Sequence, residues 1–215
     1  MFKKYFLTSL LILSAAILSA GENALPKQIM TKETAIKNFI SWDKNLKTVD
    51  TFYTQETSFE GTLISKSEGH LLKKGQTLRL ETLEEGKLTQ YALTDKKIIN
   101  IFDNKGNLIT QMLWVDWENT QQNKSLFDFG NYAKILDEHK VLSFNEGNDA
   151  YILALTPKEG NPYTLTFSLD KKTFFPKEIN LLSEGVNSKT VLQNIKINPN
   201  LKEEILNEKG HDACK

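Results

Sequence analysis

Two hydrophobic periods divide the chain. Over residues 31–49 the apolar side chains Ala35, Ile36, Phe39, Ile40, Trp42, Leu46 and Val49 recur every three or four positions. That spacing lays them along one stripe of an amphipathic helix whose apolar side must rest on something larger. Thr31 is the candidate N-cap, and Thr34 three residues on does not complete a capping box. After Asp50 the period falls to two, with β-branched and aromatic residues alternating with polar ones between short polar turns. Alternation of this kind predicts consecutive antiparallel hairpins. The runs 51–66, 69–73, 77–83, 87–94, 98–103 and 108–113 are the expected strands. Turn chemistry separates them at Glu84-Glu85-Gly86, Thr94-Asp95-Lys96 and Asp103-Asn104-Lys105-Gly106-Asn107.

The rhythm breaks between Trp114 and Glu138, where 125–136 reads as a short helix with Phe127, Tyr132, Ile135 and Leu136 on its apolar side. Strands resume at 140–145, 150–156, 163–170, 178–183 and 189–197. In the cleanest of them Tyr163, Leu165, Phe167 and Leu169 alternate with Thr164, Thr166 and Ser168. From Glu203 onward the residues are charged and aperiodic, which predicts a frayed tail. The expected architecture is mainly β with helices (α+β), a strongly curved antiparallel sheet whose concave face the helices cover. A sheet so large cannot leave an apolar face bare, so it closes into a barrel or its mouth is plugged. Several strands are apolar on both faces, as in Ile98, Ile99 and Ile101 and then Leu108, Ile109, Met112 and Leu113. One such face can meet the helices and the other a ligand or second layer.

The N-terminus changes the setting. Met1-Phe2-Lys3-Lys4 precedes an apolar run and a small-residue exit at Ser19-Ala20-Gly21, the three regions of a secretory signal. The run is about 14 residues, short of the roughly 20 needed to span a bilayer. Residues 1–20 are therefore expected to be cleaved, after Ala20 or Gly21. Glu22 stands where a lipid-anchored protein would carry cysteine, so no lipid anchor is expected. The 27 basic and 27 acidic residues balance, and removing Lys3 and Lys4 with the leader leaves 25 against 27, spread without blocks. Nucleic acid is excluded as a natural partner on that distribution. The single cysteine, Cys214, can close no internal disulfide, so the core alone must hold an exported fold.

Catalytic and metal signatures are missing: there is no G-x-S-x-G, H-E-x-x-H, G-x-G-x-x-G or P-loop. His70, His139 and His211 are far apart, and His211 with Cys214 supplies only two of the four ligands of a structural zinc site. Glu84-Glu85 beside Gly86 reads as a solvated turn. Trp114 and Trp117 either guard an apolar cavity or seal an irregular loop. No catalytic residue, metal or cofactor is expected. What remains is a curved sheet able to enclose a greasy cavity.

An ordered series of local motifs resembles the LolA family of periplasmic outer-membrane lipoprotein carriers from about Ala35 to Leu201. It begins with the helix running into Leu46-Lys47-Thr48-Val49-Asp50-Thr51-Phe52-Tyr53-Thr54-Gln55, and continues with Gly69-His70-Leu71-Leu72-Lys73-Lys74 before Leu78-Arg79-Leu80. Tyr91 to Asp103, Tyr151 to Lys158 and Leu165 to Asp170 with Phe175-Pro176 follow, and Leu192-Gln193-Asn194-Ile195-Lys196-Ile197-Asn198-Pro199-Asn200-Leu201 closes it.

The resemblance implies an unclosed half-barrel of about ten to eleven strands over 30–205, capped by helices, with a flexible tail at 206–215. It implies a periplasmic, monomeric, non-catalytic protein. Such a protein carries lipidated lipoproteins by their acyl chains from an inner-membrane exporter to an outer-membrane acceptor. A sensor or interaction module on the same fold is the alternative. The expected acyl cavity is lined by Leu78, Leu80, Tyr91, Leu93, Ile99, Ile101, Leu165 and Phe167, with facing exposed to a one-residue slip in each strand. Lys74 falls where the family has an arginine that latches its lid, Lys73 being the alternative, and lysine offers a point charge where arginine has a planar fork.

Overall fold

The computed structural model describes residues 30–121 and 123–207. The leader, His211, Cys214 and the segment 208–215 lie outside the described residues. Helix α1 spans Lys32–Lys44 and is capped by Thr31, whose Oγ1 accepts the Thr34 N–H at 3.2 Å. The helix stops before the apolar period does: Leu46 and Val49 are buried, but Val49 already lies in strand β1, Thr48–Phe59. β-branched Thr48 and Val49 favour the pleated backbone, and Asn45 closes the last helical turn.

The first meander is β1, β2 (Thr62–Lys74), β3 (Thr77–Glu84), β4 (Lys87–Thr94), β5 (Ile98–Asp103) and β6 (Leu108–Leu113). The expected run 51–66 is in fact folded in two at Glu60-Gly61. Both residues have positive φ, 47° and 83°, the requirement of a tight primed turn. The same Glu-Gly pair, again left-handed at both residues, turns β3 into β4 at Glu85-Gly86 and closes a later hairpin at Glu184-Gly185. Beyond β6 comes α2 (Trp114–Thr120), and the expected helix over 125–136 is in fact two short pieces, a 3-10 turn (Lys124–Phe127) and α3 (Tyr132–Glu138). The second meander is β7 (His139–Glu146), β8 (Ala150–Pro157), β9 (Thr164–Asp170), β10 (Pro176–Ser183) and β11 (Val186–Ile197).

All eleven strands form one antiparallel sheet in the order β6-β5-β4-β3-β2-β1-β11-β10-β9-β8-β7. The meanders join where β1 pairs with β11, from Val49↔Ile197 to Phe59↔Val186. β6 and β7 are the two free edges, so the half-barrel is unclosed, and the α2–α3 segment links them in sequence. The second meander's concave side is filled. Phe39 of α1 meets Tyr132 at 5.1 Å and Phe167 at 5.5 Å, while Trp42 and Phe129 close on Phe175 at 5.3 and 5.5 Å. The apolar residues expected to serve a second layer at the edge do not find one: Ile98, Leu108, Ile109 and Leu113 are exposed. Among the described residues no helix is long and apolar enough to cross a membrane.

An antiparallel sheet commonly leaves its convex face to water, but here β11 and β1 to β3 carry a line of linked charge across it, buried at Glu81 and Arg79. Lys196 reaches Asp50 (2.9 Å), Asp50 meets His70 Nε2 (2.7 Å), and His70 Nδ1 meets Glu81 (3.0 Å). Arg79 Nε donates to Glu81 at 2.7 Å, and its guanidinium lies 4.2 Å over the Tyr91 ring. The C-terminal segment covers this line. Far from fraying at Glu203, it forms a 3-10 turn over Glu203–Leu206, buries Leu201 and Leu206 against Leu72, and accepts Arg79 Nη1 at the Ile205 carbonyl, 3.4 Å.

Both His70 ring nitrogens face carboxylates, so both donate and the ring is cationic. Burial opposes the charge, yet the hydrogen bonds to Glu81 and Asp50 raise the His70 pKa overall. A raised histidine pKa stabilises fully below the unfolded value of about 6.5 and is lost as pH climbs through the folded value. The stability gap between the protein and His70→Gln, measured by urea unfolding, is therefore expected to be largest near pH 6 and to narrow at alkaline pH. A gap unchanged from pH 5 to 9 would refute a cationic His70.

Candidate ligand cleft

Strand register sorts the first meander's concave side into rows. Leu71↔Leu80↔Ala92↔Ile101 is one, apolar along its length, and Lys73↔Leu78↔Thr94↔Ile99 lies below it. Above it runs Tyr53↔Gly69↔Thr82↔Gln90. Gly69 leaves the space that the Tyr53 ring occupies, since a Cβ there would sit 2.4 Å from both that ring and the Glu81 carbonyl. Over these rows the α2 segment forms a roof in which Trp117 packs on Trp114 at 5.0 Å and on Phe127 at 5.2 Å. The two tryptophans divide the roles the sequence allowed them: Trp114 is buried in the core, and Trp117 faces the space below.

That space is a cleft of about 190 Å³. Its apolar lining is Leu80, Ala92, Ile101, Trp117 and Phe127, and its polar lining is Tyr53, Ser67, Thr82, Gln90 and Gln121. At about 30 Å³ per water it holds only a handful of solvent molecules, and it is smaller than the usual ligand pocket of about 300–1,000 Å³. A larger hollow of about 660 Å³ lies between the end of α3 and the loop before Tyr163, but it is open and half rimmed by Asp137, Glu138, Lys158 and Glu159. His139 beside it is spoken for, donating from Nδ1 to the Ile135 carbonyl (2.6 Å) and meeting the Tyr163 hydroxyl with Nε2 (2.8 Å). The roofed cleft is the better candidate because it is the more enclosed and has the apolar floor.

Of the eight residues expected to line the cavity, Leu80, Tyr91 and Ile101 border this cleft. Leu78 and Ile99 share that face and are buried deeper. Leu165 and Phe167 are on the concave face of the other meander, under Phe39 and Tyr132. Tyr91 and Leu93 point the opposite way. Tyr91 borders the cleft, but its ring stacks on Phe102 at 5.0 Å beneath Arg79, and Leu93 belongs to the same convex cluster. In β4 the bulkier apolar residues serve the convex cluster, and the smaller or polar Gln90, Ala92 and Thr94 face inward. Size and hydropathy alone select the wrong face there. The polar row escapes a sequence reading for the same reason, although Gly69 opposite Tyr53 marks it.

The roof is tied down, though not by Lys74. That side chain is on the convex face and donates to the Leu201 carbonyl at 3.2 Å. The tie is Lys96 in the β4–β5 turn, whose Nζ donates to the Phe127 carbonyl at 2.6 Å and stands 3.9 Å from Asp128. Lys73, the alternative, is buried beside Gly130 and donates to the Gly75 carbonyl at 2.7 Å. Asp43, at the end of α1, accepts the N–H groups of Gly130 and Tyr132 at 2.5 and 2.8 Å, orienting the turn into α3. Burial lowers the Lys73 and Lys96 pKa values, raises that of Asp43, and pushes Asp128 up to about 6. A latch of partly desolvated charges holds the roof with little net energy, because desolvation offsets much of the attraction.

The remaining sequence candidates are not brought together. His70 and His139 sit in different meanders, Glu84 and Glu85 are exposed in a hairpin turn, and among the described residues no group of three or more His, Cys, Asp or Glu side chains is placed to hold a metal.

Two outcomes test the latch. Lys96→Met is expected to speed amide hydrogen exchange across 124–132 at least severalfold, whereas Lys74→Met leaves exchange there unchanged. Asp43→Ala, which strands the buried Tyr132 N–H and frees the exposed Gly130 N–H to water, is expected to cost about 1–3 kcal/mol in urea unfolding.

No protein-family model and no curated protein matches the chain. Solved structures do. An uncharacterized conserved protein from Thermus thermophilus matches with TM-score 0.50 at 12% identity, over 81% of this chain and 91% of that one. A LolA superfamily protein from Nitrosomonas europaea matches at 0.46 and 10%, over 83% and 98%. A putative outer-membrane lipoprotein-sorting domain from Vibrio parahaemolyticus matches at 0.41 and 8%, over 82% and 96%. With its open eleven-stranded antiparallel sheet and helix-covered concave face, the chain shares its fold with the Thermus thermophilus protein.

Proposed function

We propose that the protein is a non-catalytic periplasmic carrier that takes the acyl chains of lipoproteins under the α2–α3 roof and ferries them from an inner-membrane exporter to an outer-membrane acceptor. The observation that carries this reading is the roof itself. A short-helix roof, held by Lys96, lies over a small cleft whose floor carries Leu80, Ala92 and Ile101. Burial of acyl chains is favourable by ~0.8 kcal/mol per methylene. A carrier binding several chains must recover much of that energy to release them, and closure over a self-filling aromatic core supplies an opposing term. In this reading the Trp114, Trp117 and Phe127 rings, which pack on one another in the roof, are what entering chains displace.

The leader read from the sequence, the sequence resemblance to the LolA family and the open, helix-covered sheet support this reading. The test is mass spectrometry of the protein isolated from its own periplasm, with transfer to acceptor-bearing membranes in a reconstituted assay. Co-purified triacylated lipoprotein that moves to the acceptor is the expected result. A reproducibly empty protein without transfer sinks the proposal, and lipoprotein held but never transferred makes the chain a binding or sensing module.

A further inference from the structure

The row lining the upper cleft carries hydrogen-bonding groups and no charge. Two residues along a strand advance about 7 Å, so Thr82 and Gln90 stand one such step above Leu80 and Ala92, toward the Glu85-Gly86 turn and away from the Lys96 latch. Within the cleft the lining is thus polar along its upper row and apolar along the Leu80–Ala92–Ile101 row beneath it. Every polar residue lining the cleft is neutral: Tyr53, Ser67, Thr82, Gln90 and Gln121. The cations nearest the roof, Lys73 and Lys96, are turned to the carbonyls of Gly75 and Phe127.

We infer that the cleft selects an amphiphile with an uncharged, hydroxyl- or ester-bearing head, held at the polar row while its chain runs down the apolar one toward the latch. This deepens the lipid-carrier reading and rests on it. Ser67 and Gln90 are exposed at this row, so a head there keeps part of its hydration; a carboxylate or ammonium head nevertheless gives up some water and meets no counter-charge in the lining, whereas a hydroxyl or ester finds hydrogen-bond partners. The neutral lining offers both senses of hydrogen bond: Ser67 and Thr82 donate and accept, as do the Gln90 and Gln121 amides. Gln90 Nε2 makes only a long bond to Thr82 Oγ1, 3.4 Å, leaving both groups free to turn to a ligand. The Tyr53 hydroxyl has no hydrogen-bond partner among the described residues. Burial pushes its pKa up to about 12, so it remains a donor throughout the physiological range.

The experiment compares two probes of equal chain length, 1-monolauroylglycerol and laurate, by equilibrium dialysis at pH 8 with the full mature protein. Chain burial is common to both, so the difference reads the head. The neutral probe is expected to bind at least tenfold tighter. Thr82→Val with Gln90→Leu, and separately Tyr53→Phe, should weaken monolauroylglycerol severalfold and leave laurate unchanged. Circular dichroism of each variant guards against misfolding, and Tyr53→Phe, which keeps the ring over Gly69, decides should the double variant fail to fold. Equal or tighter binding of laurate, or equal loss of both probes in well-folded variants, overturns the inference. If lipoprotein still co-purifies in that case, the carrier reading stands and only the head preference falls. If neither probe nor lipoprotein binds, both fall.

Discussion

The long antiparallel pairing of β1 with β11 is the interaction on which the rest of this molecule depends. It joins the start of one meander to the end of the other, so that eleven strands become one sheet with edges at β6 and β7. A right-handed twist accumulated over that many strands curls the sheet. Curling creates a concave face that cannot remain bare and an opening that strands do not close. The helical segments follow from that need. α1 and α3 fill the β7–β10 side with aromatic rings, leaving the β1–β5 side roofed and only partly filled.

Charge is distributed around this frame according to what each face must do. On the convex face the line Lys196–Asp50–His70–Glu81–Arg79 alternates in sign across neighbouring strands, each member in direct contact with the next. It pins strand register and anchors the C-terminal segment. On the concave side the charges at Asp43, Lys73, Lys96 and Asp128 surround the turn at the base of the roof and are poorly solvated, with shifted pKa values. The first set fits permanence, with opposite charges hydrogen-bonded to one another. The second is held more weakly, since desolvation offsets much of the attraction between its members. The cleft between them carries no charge in its lining.

Much of this is legible in one dimension. The alternation of Leu165, Phe167 and Leu169 with Thr166 and Ser168 needs no partner to be read, because one face of β9 is buried throughout. The runs 87–94, 98–103 and 108–113 coincide with β4, β5 and β6, their turns being marked by Glu-Gly, by Asp95 and by the Asp103-to-Asn107 loop. The 51–66 run is harder, since the polar tip around Glu60-Gly61 sits within a sequence that keeps its strand-like composition on both sides. The helical period overstates α1 because Leu46 and Val49 bury themselves equally well from an extended chain.

What the sequence by itself determined is therefore the periodicity: which stretches are strands, where a helix begins, and that apolar material is abundant enough for a curved, helix-covered sheet. These depend on neighbours one to four residues apart. The tertiary structure alone decided which side of each strand faces the cleft and which lysine holds the roof. Tyr91 and Leu93 turn outward because Arg79, Phe102 and the convex cluster cover that face. Lys96, not Lys74, meets the Phe127 carbonyl because a chain 31 residues away folds back over the β4–β5 turn. Local composition carries no record of such distant partners, so the fold could be read from the chain while the site had to be seen in three dimensions.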